Sequence, residues 1–497
     1  DGDTYFHFTT GQGIWYSTST NLTHWSATAS PVFPSGWPSW INNAVPGFAG
    51  AFWAPDVIQM KGFYYLYYSA STFGSSRSAI GVARTLSLKN PSWVDLGMVV
   101  SSSGASTDIN AIDPALFRDH DGRIYMSYGS FFGGLGLVEI NPATGKTLGN
   151  VQHIYGGNHQ SIEAPYISRQ GNYYYLYLNR GACCQGSNSS YYIQVARATS
   201  VWGPYQEERS LLTNQSGNYK GPGHVGVLKD SGCQYVSTHY YDLNDGGNAK
   251  LDIQRMTFSG GWPSLTHNFS SISQCGGVSE GLYQFSSRRS GKLMEVAGAD
   301  GSNGGNVVQY ESNAGLHQAW YLIDLGTGQY SLINANSLKA LDVWEISTTA
   351  GANIAQWDYW GSAGQRWQIR PLSNYVEVES ALSGMLLDVE GAGTGNAANI
   401  IQWPRTGRNN QHWLMQRAGL RHLELVYASG SLTIPYMPAA DANAIADCLP
   451  AAPFDLGGDR LDGCGDLHAS LHAHDGAGRL RSGLDRAAVS QPSLRCT

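Results

Sequence analysis

Three polar residues stand at matching places in the first half of the chain. Asp113 lies in Asn110-Ala111-Ile112-Asp113-Pro114, Glu163 in Ser161-Ile162-Glu163-Ala164-Pro165, and His224 in Gly221-Pro222-Gly223-His224. Asp113 precedes its next turn glycine by 9 residues, and Glu163 and His224 precede theirs by 8. Trp53-Ala54-Pro55-Asp56 holds the corresponding place in an earlier repeat. Brought to one pocket, the two carboxyl groups could hydrolyse a glycosidic bond. One protonates the leaving oxygen, while a carboxylate activates water or attacks carbon. Glu163 sits in an apolar strand beside Pro165, where desolvation raises a carboxyl pKa and suits a general acid, and Asp113 supplies a like charge that raises it further. Alone, either residue reads as a strand-end carboxylate capping a turn; their shared register favours chemistry.

The elements that must position these residues repeat. Turn glycines at Gly2, Gly62, Gly122, Gly171 and Gly232 are spaced by 60, 60, 49 and 61 residues, each followed by an aromatic-rich strand such as Tyr173-Tyr174-Tyr175. Repeats of this length with several strands each describe propeller blades, and five repeats predict a five-bladed β-propeller over residues 1–275. The first strand of a blade lines the channel, so a polar residue opening it points at the axis. Composition agrees with an all-β protein: 61 Gly, 29 Tyr, 15 Trp and only 13% charged residues. The net charge of −7 and the lack of basic runs argue against a nucleic-acid partner. No apolar run is long enough to span a membrane. A neutral ligand that stacks on aromatic rings, carbohydrate above all, fits this profile. Sequons at Asn21, Asn188, Asn214 and Asn268 and the low lysine content point to secretion. The seven cysteines form no zinc pattern. Cys183-Cys184 reads as a vicinal disulfide or two thiols, and Cys233 and Cys275 as a potential pair.

A second repeat of about 46 residues runs over 281–417. It shows as Gln318-Ala319-Trp320, Gln365-Arg366-Trp367 and Gln411-His412-Trp413, with Met294-Glu295-Val296, Leu341-Asp342-Val343 and Leu387-Asp388-Val389 upstream. Three equal β-rich repeats that each bury a Trp predict a β-trefoil. Residues 418–497 lose the repeat and hold only three aromatics, Tyr427, Tyr436 and Phe454, which predicts a disordered tail.

The first 275 residues resemble glycoside hydrolase family 43, in particular the endo-1,5-α-L-arabinanases. The matching segments are Phe52-Trp53-Ala54-Pro55-Asp56, Asn110 to Pro114, Tyr128-Gly129-Ser130-Phe131, Ile162 to Pro165, Gly221 to His224 and Cys183-Cys184-Gln185-Gly186. The resemblance implies an inverting hydrolase of plant cell-wall arabinan, or of another hemicellulose, acting as a monomer outside the cell. Within it Glu163 would be the general acid and Asp113 the residue that tunes and orients it. His224 would be the one protein ligand of a central calcium (or sodium) ion otherwise held by water. Trp53, Asn110 and Phe131 would contact sugar. The family's general base leads the first blade, and the blade offset puts it six or seven residues before residue 1. The expectation is therefore an N-terminally incomplete copy, or a pseudoenzyme, without its base. Two alternatives stand beside this one: another family 43 activity (α-L-arabinofuranosidase or β-xylosidase), and a carbohydrate-binding protein without catalysis.

Residues 281–417 resemble a ricin B-type lectin domain, the fold of carbohydrate-binding module family 13. The resemblance implies sugar contacts from Asp388, Gln402, Trp403 and Asn410 in the third repeat and from Asp342, Gln356 and Trp357 in the second, where Gly364 replaces the Asn. The first repeat departs from the pattern, with Glu295 in place of the Asp and His317 in place of the Asn.

Overall fold

The computed structural model describes residues 1–266, 275, 277–326 and 328–418. The expectation of a disordered tail falls, from residue 419 onward, outside the described residues.

Five antiparallel sheets follow one another along residues 1–266 and form a five-bladed propeller. The first has three strands, Tyr5–Phe8, Tyr16–Ser19 and Ser26–Ala27. The second runs outward from Ala51–Met60 through Phe63–Ala70 and Ala79–Thr85 to Val94–Ser101. The third opens with Ala115–Arg118, the fourth with Glu163–Gln170 and the fifth with Tyr219–Asp230. The tyrosines after each turn glycine explain why the blades cohere. Tyr65 and Tyr67 pack with Leu116, Met126 and Val138 between blades two and three, and Tyr175 and Tyr177 with Val225 and Val236 between blades four and five. Tyr5 and Trp25 pack on Tyr235, and the Tyr5 hydroxyl donates to Asp230, so blade five closes on blade one.

Twelve strands from Gly281–Ser287 to Trp413–Arg417 form the trefoil. Its core holds Trp320, Trp367 and Trp413, all fully buried. Each indole N–H donates to a backbone carbonyl, that of Met294, Leu341 or Leu387. The acceptor is in each case the residue just before the acidic position of the same repeat. Indole burial and the register of the acidic residue are therefore fixed by one hydrogen bond. Around the pseudo-threefold axis the amides of Asn306, Asn353 and Asn399 form a closed ring of hydrogen bonds of 2.9–3.1 Å.

The trefoil packs on the propeller face that carries the first-to-second-strand turns. Lys61 N–H donates to the Tyr321 hydroxyl at 2.8 Å, Ser331 Oγ to the His120 carbonyl at 3.0 Å, and the Arg118 guanidinium lies 3.9 Å above the Tyr321 ring. Tyr321 thereby floors a cavity of about 270 Å³ whose walls are inner-strand residues such as Leu116, Tyr166 and Val227. Cys275, in the connection between the modules, is disulfide-bonded to Cys233.

Candidate active site

The opposite end of the inner strands carries Asp113, Glu163 and His224, and a recurrent backbone kink aims them. Ala54, Asp113, Ala164 and His224 all adopt left-handed φ, between 44° and 59°. Non-glycine residues occupy this region at a cost of order 1–3 kcal/mol, and such strain clusters at functional sites. In three blades the kink coincides with one extra residue on the inner strand. Trp53 faces Ser69 while Asp56 faces Tyr67; Glu163 faces Asn179 while Tyr166 faces Tyr177; Gly223 faces His239 while Gly226 faces Ser237. A bulge of this kind re-aims side chains and bends the strand. It also corrects the register read from spacing. The kinked residue is Asp113 in blade three but Ala164 in blade four, so Glu163 is the counterpart of Trp53, one step upstream of Asp113's position.

That one-step offset lets the two acids meet. Ala164 N–H donates to Asp113 Oδ2 at 3.1 Å, and Asp113 N–H donates to Ser69 Oγ at 3.0 Å. The side chain of Asp113 is buried. Burial raises its pKa, while the nearby His224 charge and the Ala164 N–H favour its carboxylate. Glu163 has neither of these aids. Burial first, and the Asp113 charge second, push its carboxyl up to about 8. The Ala164 N–H and the His224 charge thus favour the ionised form at Asp113, while burial and the Asp113 charge favour the protonated form at Glu163. Among the described residues, Asp113 is the carboxylate whose charge acts on Glu163.

His224 is fixed through its backbone, donating to Asn179 Oδ1 at 2.8 Å, while Asn179 Nδ2 holds the Pro222 carbonyl at 3.1 Å. Among the described residues no three His, Cys, Asp or Glu side chains cluster to cage a metal. One imidazole beside a carboxylate fits an ion that keeps most of its water shell, not an ion enclosed by protein oxygens.

The other predicted contacts divide. Trp53 is half-buried and meets the exposed Phe73 ring edge-on at 6.5 Å. Phe131 is 39% exposed and stacks on Phe132 at 4.3 Å. Asn110, by contrast, is buried, with its amide donating to Ser130 Oγ and accepting from Ser102 Oγ. It ties the segments at Ser102 and Ser130 together. Spacing gave no signal for Tyr191, whose hydroxyl donates to Glu163 Oε1, or for His239, because both come from strands and loops behind the inner strand.

In the trefoil, Trp357 and Trp403 are 40% and 41% exposed. Asn410 Nδ2 donates to Asp388 Oδ1 at 2.8 Å, and Gln365 Nε2 to Asp342 Oδ2 at 2.7 Å. Gln356 and Gln402 sit differently from what the lectin resemblance implied. Both are fully buried, with each amide nitrogen held by two carbonyls of the neighbouring repeat and each oxygen accepting from a serine. They splice repeats together and offer no face to a ligand. In the first repeat Glu295 is likewise occupied, by Gln318 and His317.

A half-buried carboxyl whose pKa is raised, beside a second carboxyl held by a backbone N–H, is the pairing that acid-assisted glycoside hydrolysis uses. The family model described as glycosyl hydrolases family 43 matches residues 1–263, and one described as ricin-type β-trefoil lectin domain-like matches 269–357 and 363–444. This chain belongs to glycosyl hydrolases family 43. It is 36% identical over 293 residues to an extracellular exo-α-(1→5)-L-arabinofuranosidase of Cellvibrio japonicus, covering 53% of this chain and 84% of that one. It is 39% identical over 237 residues to an extracellular endo-α-(1→5)-L-arabinanase of Bacillus subtilis, covering 46% and 72%. Among solved structures, the Cellvibrio cellulosa α-L-arabinanase complexed with arabinohexaose superposes with a TM-score of 0.50 at 34% identity, over 54% of this chain and 92% of that chain.

Proposed function

We propose that this protein is a secreted hydrolase that cleaves α-1,5-linked L-arabinan with inversion, in endo fashion, and that its trefoil holds it on the polysaccharide. The observation that carries the reading is the half-buried Glu163 set beside Asp113, whose charge, after burial, raises the Glu163 carboxyl. Protonated, Glu163 can give its proton to the oxygen leaving the anomeric carbon. Asp113, fixed by Ala164 N–H, raises that acid and orients it. Trp53, Phe73 and Phe131 offer ring faces and edges to sugars along the rim. His224 would hold a hydrated calcium or sodium ion, which supplies positive charge on the channel axis. Trp357 and Trp403, each near a buried aspartate, present two stacking surfaces on the trefoil, and paired weak sites on one polymer gain affinity by multivalency.

The test is hydrolysis of linear 1,5-α-arabinan by the full-length gene product. Glu163→Gln should lower turnover by about 10²–10⁴, and by far less on a dinitrophenyl glycoside, whose leaving group needs no proton. An equal loss on both substrates, or none, removes Glu163 from the acid's role. Short arabino-oligosaccharides as first products support endo action. Arabinose alone would place the enzyme with the Cellvibrio exo-acting relative, and cleavage of xylan instead of arabinan would refute the substrate.

A further inference from the structure

The loop over residues 181–190 rises from the second strand of blade four, directly beside Glu163, and carries adjacent cysteines joined as a disulfide. We propose that this disulfide-closed loop is a positioning element for the general acid, holding Glu163 in its proton-donating orientation through Tyr241, His239 and Tyr191. The proposal rests on the assignment of Glu163 as the acid.

The contacts form an unbroken series. Cys184 N–H donates to the Tyr241 hydroxyl at 2.9 Å, with Cys183 Sγ 3.8 Å from the same oxygen. The Tyr241 ring meets His239 edge-on at 5.3 Å, and the His239 ring lies 6.0 Å from that of Tyr191. The Tyr191 hydroxyl ends the series on Glu163 Oε1. Neighbouring backbone leaves no slack. A Cβ on Gly223 would come within 2.5 Å of Tyr191 and 2.8 Å of His239, and one on Gly221 within 2.5 Å of Ser189 and 3.1 Å of Tyr241. Ser189 Oγ donates to the Ala182 carbonyl, and Asn214 Nδ2 donates to the carbonyls of Ser189 and Tyr191, bracing both ends of the loop. The His239 ring is half-buried between Tyr241 and Tyr191.

The chemical consequence is specific. Because Tyr191 donates to Oε1, the proton of the acid is left to Oε2. The same hydrogen bond is stronger to the carboxylate that remains after proton transfer, since a charged acceptor binds a donor more tightly than a neutral one. Cys184 is exposed, so a small dithiol can reach the bond. Reduction adds two electrons and two protons to give two thiols, while the dithiol closes to its own disulfide. The fixed backbone that carries the Cys184 N–H is then released.

The experiment compares the oxidised full-length protein, the same protein in dithiothreitol, Cys183→Ser/Cys184→Ser, and Tyr191→Phe, on linear arabinan. Reduction and the double serine variant should each lower kcat about tenfold with KM within twofold, the loss of about one hydrogen bond's worth of positioning. Dithiothreitol should leave the double variant unchanged, which separates this bond from Cys233–Cys275. Tyr191→Phe should lower kcat similarly and move the basic limb of kcat/KM upward by about one pH unit, because it removes a donor that favours the carboxylate. Wild-type kcat and an unmoved limb in Tyr191→Phe, or an oxidised–reduced pair that does not differ, would overturn the proposal. If the double variant does not fold, the reduced wild type and Tyr191→Phe decide. Glu163→Gln separates the two levels. If it is inactive while these variants behave as wild type, only the positioning role falls; if it is active, the acid assignment falls first.

Discussion

Replacing Asp113 by Asn removes one negative charge from the cleft while keeping a side chain of the same shape that can still accept the Ala164 N–H. Two causes hold the Glu163 carboxyl near 8, burial and then the Asp113 charge, and only the second is removed. Two like charges at about 6 Å, the outer end of the range over which a neighbour shifts a pKa, interact by about 2.8 kcal/mol at an effective dielectric near 20, or about 2 pH units. The general acid must be protonated, so activity is lost as pH rises through its pKa. In Asp113→Asn the basic limb of kcat/KM should therefore fall from near pH 8 by up to about 2 units, yet stay above the range of an ordinary glutamate because burial persists. The assay is reducing-sugar release from linear arabinan between pH 4 and pH 10, with substrate well below KM so that the limb reports the free enzyme. A basic limb that stays in place, or moves upward, would refute the claim that Asp113 acts on Glu163 through its charge.

Stability should show the same titration from the other side. Glu163 binds its proton more tightly folded than unfolded, so folding stability falls as pH rises from about 4.5 to about 8 and is level above that. Glu163→Gln should thus melt higher than wild type at pH 8, with the gap closing toward pH 4.5 in calorimetric scans. On the trefoil, Trp403→Ala should weaken binding to insoluble polysaccharide about five- to tenfold in depletion assays, the worth of one lost stacking face, and leave hydrolysis of soluble oligosaccharides unchanged. At the module interface, Tyr321→Ala removes the ring under Arg118 and the acceptor of Lys61 N–H. It should cost about 3–5 kcal/mol and split a single calorimetric transition into two.

Much of this architecture is written in local sequence. Turn glycines at near-constant spacing and the tyrosine-rich strands behind them specify blades, because each blade is a local meander whose hydrophobic pattern needs no distant partner to be read. The Gln-x-Trp triplets specify the trefoil for the same reason, each Trp being tied to its own repeat through the carbonyl of Met294, Leu341 or Leu387. Asp113, Glu163 and His224 stand out because an axial strand opens with a polar residue. What sequence could not show is how far a backbone kink displaces one acid relative to the next. The offsets of 9 and 8 residues placed Asp113 and Glu163 in one register, whereas the left-handed residues at Asp113 and Ala164 set them one step apart. Gln356 and Gln402 carry the residue type of a sugar ligand, yet close packing against a neighbouring repeat turns both amides inward. Sequence alone determined which groups are available for acid chemistry, since that depends on residue type and repeat. Only the tertiary structure decided which groups meet around Glu163, since Tyr191, His239, Tyr241 and the Cys183–Cys184 loop come together from segments separated by more than one strand.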